Sequence, residues 1–354
     1  MYPRNMKCAT IPIVLLAFPL RAQTLVSDQP QDRTVLLEEY SAVNCGNCPA
    51  AHAQSASWAQ LYPSRFVAVE VHGGGLAIPS GDQPDFRNQW ASGLWSFYQV
   101  NSQPRGAIDR IPVSGNVVVS TSAWTNAINN ALTLPSPVNI GLASTFDPGP
   151  RTLTVDVELY YTGDGPAGSD RISVLLKENH LIGYQQDYIN GAQSAYDHNN
   201  ILRAYITDLW GDEVSTTAQG TLVSRSYTYT VPEAWDIANC DVVAFVSEYQ
   251  GEVYQARSVM ADGGFTMAIT PESIEAATPP FPVPASDLTF IPLSTSEAQA
   301  MVRISDNMGR AVFSGRSASG AVVLDVRTWP SGVYSFNIIG AMGASRSGRL
   351  AVQH

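Results

Sequence analysis

Cys45 and Cys48, in Val43-Asn-Cys-Gly-Asn-Cys-Pro49, are the residues whose type and spacing most directly permit chemistry. A C-x-x-C pair can close a small disulfide and exchange it with another through a mixed disulfide, provided one sulfur ionises readily. Two other uses compete for the same atoms. The pair can be a permanent bridge holding a loop. With His52, one helical turn past Cys48, and His72, it also makes a Cys2His2 set for a zinc-type ion on paper. His52 reads more simply as a partly exposed helix residue, and His72 as a strand end. Elsewhere, His198 with Asn199, Asn200 and Arg203 reads as a polar group satisfying backbone atoms, and Cys240, beside Val242-Val-Ala-Phe-Val246, as a buried, inert thiol. His72-Gly-Gly-Gly75 has the look of an esterase oxyanion loop, but the chain has no G-x-S-x-G elbow, no phosphate-binding glycine loop with lysine and no H-E-x-x-H. Hydrolase and nucleotide chemistry drop out, and the reading expects neither metal nor cofactor.

The elements that position the dithiol are a strand and a helix. Val35 to Tyr40 has the aliphatic content of a buried strand. Pro49 to Leu61 is alanine-rich and helical, with Ala53, Ala56 and Leu61 available for a core face. Pro49 falls in the first turn, where its missing N–H costs nothing, and the positive end of the helix favours a thiolate. Arg65 to His72 is a second strand, Asp85 to Val100 a second helix carrying Phe86, Trp90, Leu94, Phe97 and Tyr98, and Gln103 to Val119 a hairpin. Ser122 to Leu132 is a closing helix with a Ser/Thr cap. The order is βαβαββα. With its C-x-x-C at the strand-to-helix turn, this segment resembles the thioredoxin superfamily. The resemblance implies that Cys45 is the nucleophile, that Cys48 resolves the mixed disulfide, that Glu39 is the buried carboxylate relaying a proton to the resolving thiol, and that Pro104 is a cis-proline facing the pair. Asn44, where an aromatic is common, and the central Gly46-Asn47 depart from the usual pattern.

A chain of 354 residues is long enough for two or three domains. A net charge of −11 argues against nucleic acid or an anionic membrane surface as partner. Residues 1–23, with Arg4 and Lys7 ahead of the apolar run Ala9 to Leu20, read as a secretory signal, and no later run is long enough for a transmembrane span. Cys45, Cys48 and Cys240 then remain in the exported chain, read as one close pair and one solitary thiol.

After Pro135-Ser-Pro137 the texture changes to alternating strand-like runs at Val138 to Thr145, Leu153 to Tyr161, Arg171 to Lys177, Leu222 to Val231, Val242 to Tyr249 and Glu252 to Met260, with a less regular segment from Tyr184 to Gly211. These predict an immunoglobulin-like β-sandwich. The stiff Thr278-Pro-Pro-Phe-Pro-Val-Pro284 ends a linker, and further strands follow. The expected division is a signal peptide at 1–23, an α/β thioredoxin-like domain at 34–134, a β-sandwich at 138–268, a Pro-rich linker at 270–284 and a small all-β C-terminal sorting domain at 285–354.

Leu36 to His52, together with Tyr196-Asp-His-Asn-Asn-Ile-Leu-Arg203, Val243 to Val246 and Gln255-Ala256, resembles the 28-kilodalton outer-membrane-protein-related family over about residues 34 to 265. Phe281 to Asp287, Val302 to Arg310, Leu324-Asp-Val326 and Ser331 to Tyr334 resemble the type A sorting domain of type IX secretion, which implies the type IX machinery as partner and a cell-surface, outer-membrane-associated or secreted destination. The first resemblance implies a thioredoxin-like half fused to a β-sandwich and names no substrate. The expected function is thiol–disulfide exchange on protein or peptide disulfides. The alternative is a non-enzymatic outer-membrane-associated binding protein with a structural bridge.

Overall fold

The computed structural model describes residues 25–166, 169–264, 284–293, 300–306, 310–316, 321–339 and 345–354. The signal segment at 1–23, nearly all of the linker at 270–284 and the Phe281 end of the sorting motif lie outside the described residues. The chain forms two compact units, 1–270 and 271–354.

The first unit is built on two adjacent parallel strands, β1 (Val35–Ser41) and β2 (Phe66–His72), buried along their whole length. α1 (Cys48–Leu61) connects them. α2 (Gln89–Phe97), β3 (Arg105–Ile108), β4 (Val118–Ser120) and α3 (Thr121–Ala131) follow, β3 running antiparallel to β1 and β4 to β3. The period of two sorts the side chains. Leu36, Tyr40, Val67, Val69 and Val71 meet Ala91, Leu94 and Trp95 of α2. Val35, Leu37, Phe66 and Ala68 meet Ala51 of α1 and Trp124 and Ile128 of α3 on the other face.

Two helix faces differ from expectation. α1 buries Cys48, Ala51 and Ser55, while Leu61 is 63% exposed, because the cysteine must turn inward at its first residue and fixes the phase for the rest. α2 starts later than expected, capped by Asn88, whose side chain accepts from the Ala91 N–H, and it buries Ala91, Leu94 and Trp95 while Phe97 faces outward.

Beyond Pro137 come β5 (Val138–Asp147), β6 (Thr152–Tyr161), β7 (Asp170–Glu178), β8 (Leu181–Gln185), β9 (Gln193–His198), β10 (Ile201–Tyr205), β11 (Asp212–Val214), β12 (Leu222–Thr230), β13 (Cys240–Ser247) and β14 (Val253–Met260). The expected boundary at Pro135-Ser-Pro137 does not divide the sheet. One nine-stranded sheet runs β14-β13-β7-β10-β2-β1-β3-β4, with β11 beside β7. Without β10, β2 would be an apolar edge with its backbone groups unpaired, a condition that invites pairing with any partner. Here Ile201 registers with Glu70, and the Glu70 N–H donates to the Asn200 carbonyl at 2.7 Å. A three-stranded sheet, β12-β6-β5, packs on the far end through Leu142, Val155 and Val157 against Ile172, Val174, Val242 and Ala244.

Polar contacts tie the halves together. Arg110 makes a two-pronged contact with Glu38 at 2.7 and 2.8 Å and lies over the rings of Trp210 and Phe245. Arg33 reaches Glu252 at 2.8 Å and the Val253 carbonyl at 3.1 Å.

The second unit has β15 (Leu288–Pro292) paired with β18 (Ala321–Asp325), and a sheet of β16 (Met301–Ser305), β17 (Ala311–Arg316), β19 (Gly332–Ile339) and β20 (Ser345–Val352) in the order β17-β16-β19-β20. Ile291, Val302, Ile304, Leu324, Tyr334 and Phe336 are among its core residues.

Candidate functional site: a covered dithiol beside a buried Glu/His cluster

β1 ends at Ser41, and a turn carries the chain into α1, with the Cys45 N–H donating to the Ala42 carbonyl at 3.0 Å and the Cys48 N–H to the Cys45 carbonyl at 3.2 Å. Cys48 opens the helix with Pro49 behind it, and Cys45 and Cys48 are joined as a disulfide. Both are buried, at 2% and 0% exposure, against Ala42 and Ala77. The cover comes from the segment after β8. The Gln185 amide donates to the carbonyls of Ala42 and Cys45, Gln186 N–H to Val43 and Tyr188 N–H to Gly46, all within 3.2 Å. The Tyr188 ring rests on Gly46, where a Cβ would stand 2.3 Å from ring carbon Cδ1, so glycine is what lets the ring approach. On the other side Asn44 bonds the carbonyls of Leu76 and Ile78. Leu76, Ile78, Tyr188 and Ile189 are exposed around this rim. The Gln103–Pro104 bond is cis, and Arg105, next in line, registers with Tyr40 at the end of β1 that leads into the dithiol.

On the α1 face the alternation Val35, Leu37 passes to Glu39 and Ser41, and Phe66, Ala68 passes to Glu70 and His72. The two strands therefore change together from apolar to polar beneath the first turns of α1, where His52 points at them. His52 Nε2 lies 2.9 Å from Glu70 Oε1, 2.9 Å from Ser41 Oγ and 3.9 Å from Glu39 Oε1, and its Nδ1 lies 2.9 Å from the Tyr196 hydroxyl. His72 Nε2 lies 2.7 Å from the same Glu70 oxygen. A cavity of about 200 Å³ lies over the group, lined in part by Pro49, Glu39, His52, Glu70 and Tyr196.

Burial pushes the Glu39 carboxyl up to about 8; the Glu70 charge adds to this and His52 opposes it. For His52, burial opposes the proton, but the charge and hydrogen bond of Glu70 outweigh it and lift the ring to about 9. Burial acts on Glu70 too, and there His52 and His72 win and hold the carboxyl well below its ordinary value. Burial lowers His198 to about 4, so that ring is neutral near pH 7.

The structure thus places Glu39 and His52 together beneath the start of α1, and in it each sulfur of the Cys2His2 set is bonded to the other. His198 packs at 6.2 Å from His72 and 4.8 Å from Phe86, ring centre to ring centre. Asn199 accepts from the His180 N–H, Asn200 from Lys177, and Arg203 pairs with Glu178 at 3.1 Å. Glu70 and Tyr196 take part without having been singled out from the sequence. Glu70 had one signal: it is the charged residue in a strand otherwise apolar on both faces, in phase with His72.

No curated protein matches the chain. Among solved structures, HBP35 of Porphyromonas gingivalis superposes with a TM-score of 0.54 at 18% identity, covering 91% of this chain and 99% of that one, so the two share a fold. A domain of the outer membrane lipoprotein Omp28 from Porphyromonas gingivalis is 22% identical, with a TM-score of 0.26, over 36% of this chain and 89% of that one. Residues 91–262 match the family described as outer membrane protein Omp28, and over that stretch the chain is similar to the Omp28-related proteins.

Proposed function

We propose that this protein is an exported thiol–disulfide exchange protein acting on protein or peptide disulfides through Cys45 and Cys48. The observation that carries the reading is a dithiol closed at the first residue of a helix, next to a polar face whose Glu39 carboxyl is pushed up to about 8. A base of that strength can take a proton from a thiol near neutral pH. In the reduced form the Cys45 thiolate attacks a substrate sulfur and expels the other as thiolate. Cys48, giving its proton to Glu39, then attacks Cys45, which releases the reduced substrate and restores the bridge. The βαβαββα order and the cis Pro104 ahead of β3 support a thioredoxin-like reading of residues 34–134, and the packed sheets beyond Pro137 support the β-sandwich. The exposed apolar rim suits a polypeptide substrate. The Omp28 match supports an outer-membrane-associated or secreted destination, and the resemblance of 285–354 to a type IX sorting domain supplies the route.

A second reading, a binding protein with a structural bridge, is favoured by one observation: Cys45 is 2% exposed. The reduction potential separates the two. Exchange catalysts fall at about −270 to −120 mV, and structural bridges below about −300 mV. The exchange reading expects a value in the upper window, disulfide reductase turnover lost in Cys45→Ser, and mixed disulfides trapped by Cys48→Ser. A potential below that window with no turnover leaves the binding reading standing.

A further inference from the structure

We propose that Glu70, His72 and His198 form a binding site for a first-row divalent metal ion of the zinc type, separate from the dithiol. One donor atom from each comes within 4.8 Å of the others, and all three residues are buried. Ligands held at about 2.0–2.2 Å from a tetrahedral ion lie roughly 3.3–3.5 Å apart, so closing on an ion asks for movements of about 1 Å.

The hydrogen bonds define which nitrogens are free. His198 Nε2 sits 3.2 Å from the Tyr184 carbonyl oxygen, which can only accept, so Nε2 carries the proton and Nδ1 the lone pair. That Nδ1 is buried and has no partner among the described residues. His72 Nε2 and Glu70 Oε1 share one proton across 2.7 Å, the place an ion held by both would take, and His72 Nδ1, buried and unpartnered among the described residues, carries the ring's N–H in that state. The buried His198 lone pair without a donor is costly to leave empty, and an N–H held by a carbonyl while the other nitrogen stays free is the arrangement that orients a metal-ligating histidine. Glu70 supplies the negative charge and shares its oxygen with His52, which the ion must displace or sit beside. Two imidazoles and a carboxylate suit zinc and its first-row neighbours rather than magnesium or calcium.

The test uses the full chain, oxidised, stripped with chelator and titrated with Zn²⁺ by calorimetry and thermal melting. One Zn²⁺ per chain and a higher melting temperature in excess Zn²⁺ are expected. In His198→Phe, which keeps the ring contacts with Phe86 and Tyr196 but has no nitrogen, the metal-free protein should melt cooperatively while the Zn²⁺-induced rise disappears. Glu70→Gln should weaken binding at least tenfold, and His180→Ala, at an exposed histidine, should leave it unchanged. Binding should also survive in the double variant Cys45→Ser/Cys48→Ser. No saturable binding, binding that persists in His198→Phe, or binding that requires the two cysteines would overturn the proposal.

Discussion

At the scale of single residues, the first unit places ionisable groups where solvent cannot reach them, and each carries a pH signature. Asp109 accepts the Leu36 N–H at 2.7 Å and lies 3.6 Å from Arg33. Burial pushes its carboxyl up to about 7, against the opposing pull of the Leu36 bond and Arg33. A carboxyl raised in the folded state binds its proton more tightly there than in the unfolded chain. Its contribution is therefore complete below the ordinary value near 3.8 and is lost as pH rises through about 7. Asp109→Asn keeps an oxygen for Leu36 and removes the ionisation. Its melting temperature should fall less than that of the wild type between pH 5 and pH 8, with a stability difference over that interval of up to roughly 2.5 kcal/mol. Parallel curves for the two proteins would show that Asp109 does not ionise across that range. Cys240, with its thiol pushed up to about 12 chiefly by burial, fits the inert thiol expected from its apolar neighbours.

At the scale of elements, the dithiol is governed by a segment remote from it in sequence. Tyr188 closes over Gly46 by both backbone and ring. A methyl group at Gly46 cannot share that space, so Gly46→Ala should lift the ring and speed reduction of the Cys45–Cys48 bridge by dithiothreitol several-fold. Tyr188→Ala should do the same, and the double variant should add little to either. Fully additive rates would place the barrier elsewhere. The βαβαββα order was legible in sequence because each element carries its own period: Val35 to Tyr40 reads as strand, and Leu94 with its neighbours as helix. The cover was not legible, since Gln185 to Tyr188 act through backbone donors and amides that leave no apolar pattern. Glu70 was hidden for a related reason. One glutamate in Phe66-Val-Ala-Val-Glu-Val-His72 reads as a surface residue until the strand is known to be enclosed on both sides. Cys48, not Leu61, sets the buried face of α1, because composition alone does not give a helix its phase.

At the scale of the whole molecule, the shared sheet has a consequence for autonomy. Residues 34–134 look like a complete α/β unit in sequence, yet β2 has β10 as its outer neighbour, and the α2-side core borrows Tyr205, Val243 and Phe245. Parallel pairing between such distant strands has no local sequence signal, which is why a boundary at Pro135-Ser-Pro137 looked natural. A truncation series gives the expected outcomes. A chain ending at residue 134 should lack a cooperative melt and dispersed amide resonances. A chain ending at 280 should fold like the first unit of the full protein, and in a cell equipped for type IX secretion it should remain in the periplasm. A well-folded 134-residue product, or surface display without residues 281–354, would contradict the shared sheet in the first case and the sorting role of the tail in the second.

The N-terminal strap of that sheet bears on when the protein becomes folded at all. The Thr34 N–H bonds the side chain of Gln255 across 221 residues, and Arg33 reaches Glu252 across 219. Contacts that distant cannot form until nearly the whole first unit is available, and topologies rich in them fold slowly because chain closure precedes the reward. Under the export proposed above, a chain that crosses a membrane before it compacts gains from that delay. The leading strands have no finished partner to lock onto until the remainder of the unit is delivered, so the connectivity itself delays compaction of the N-terminal half.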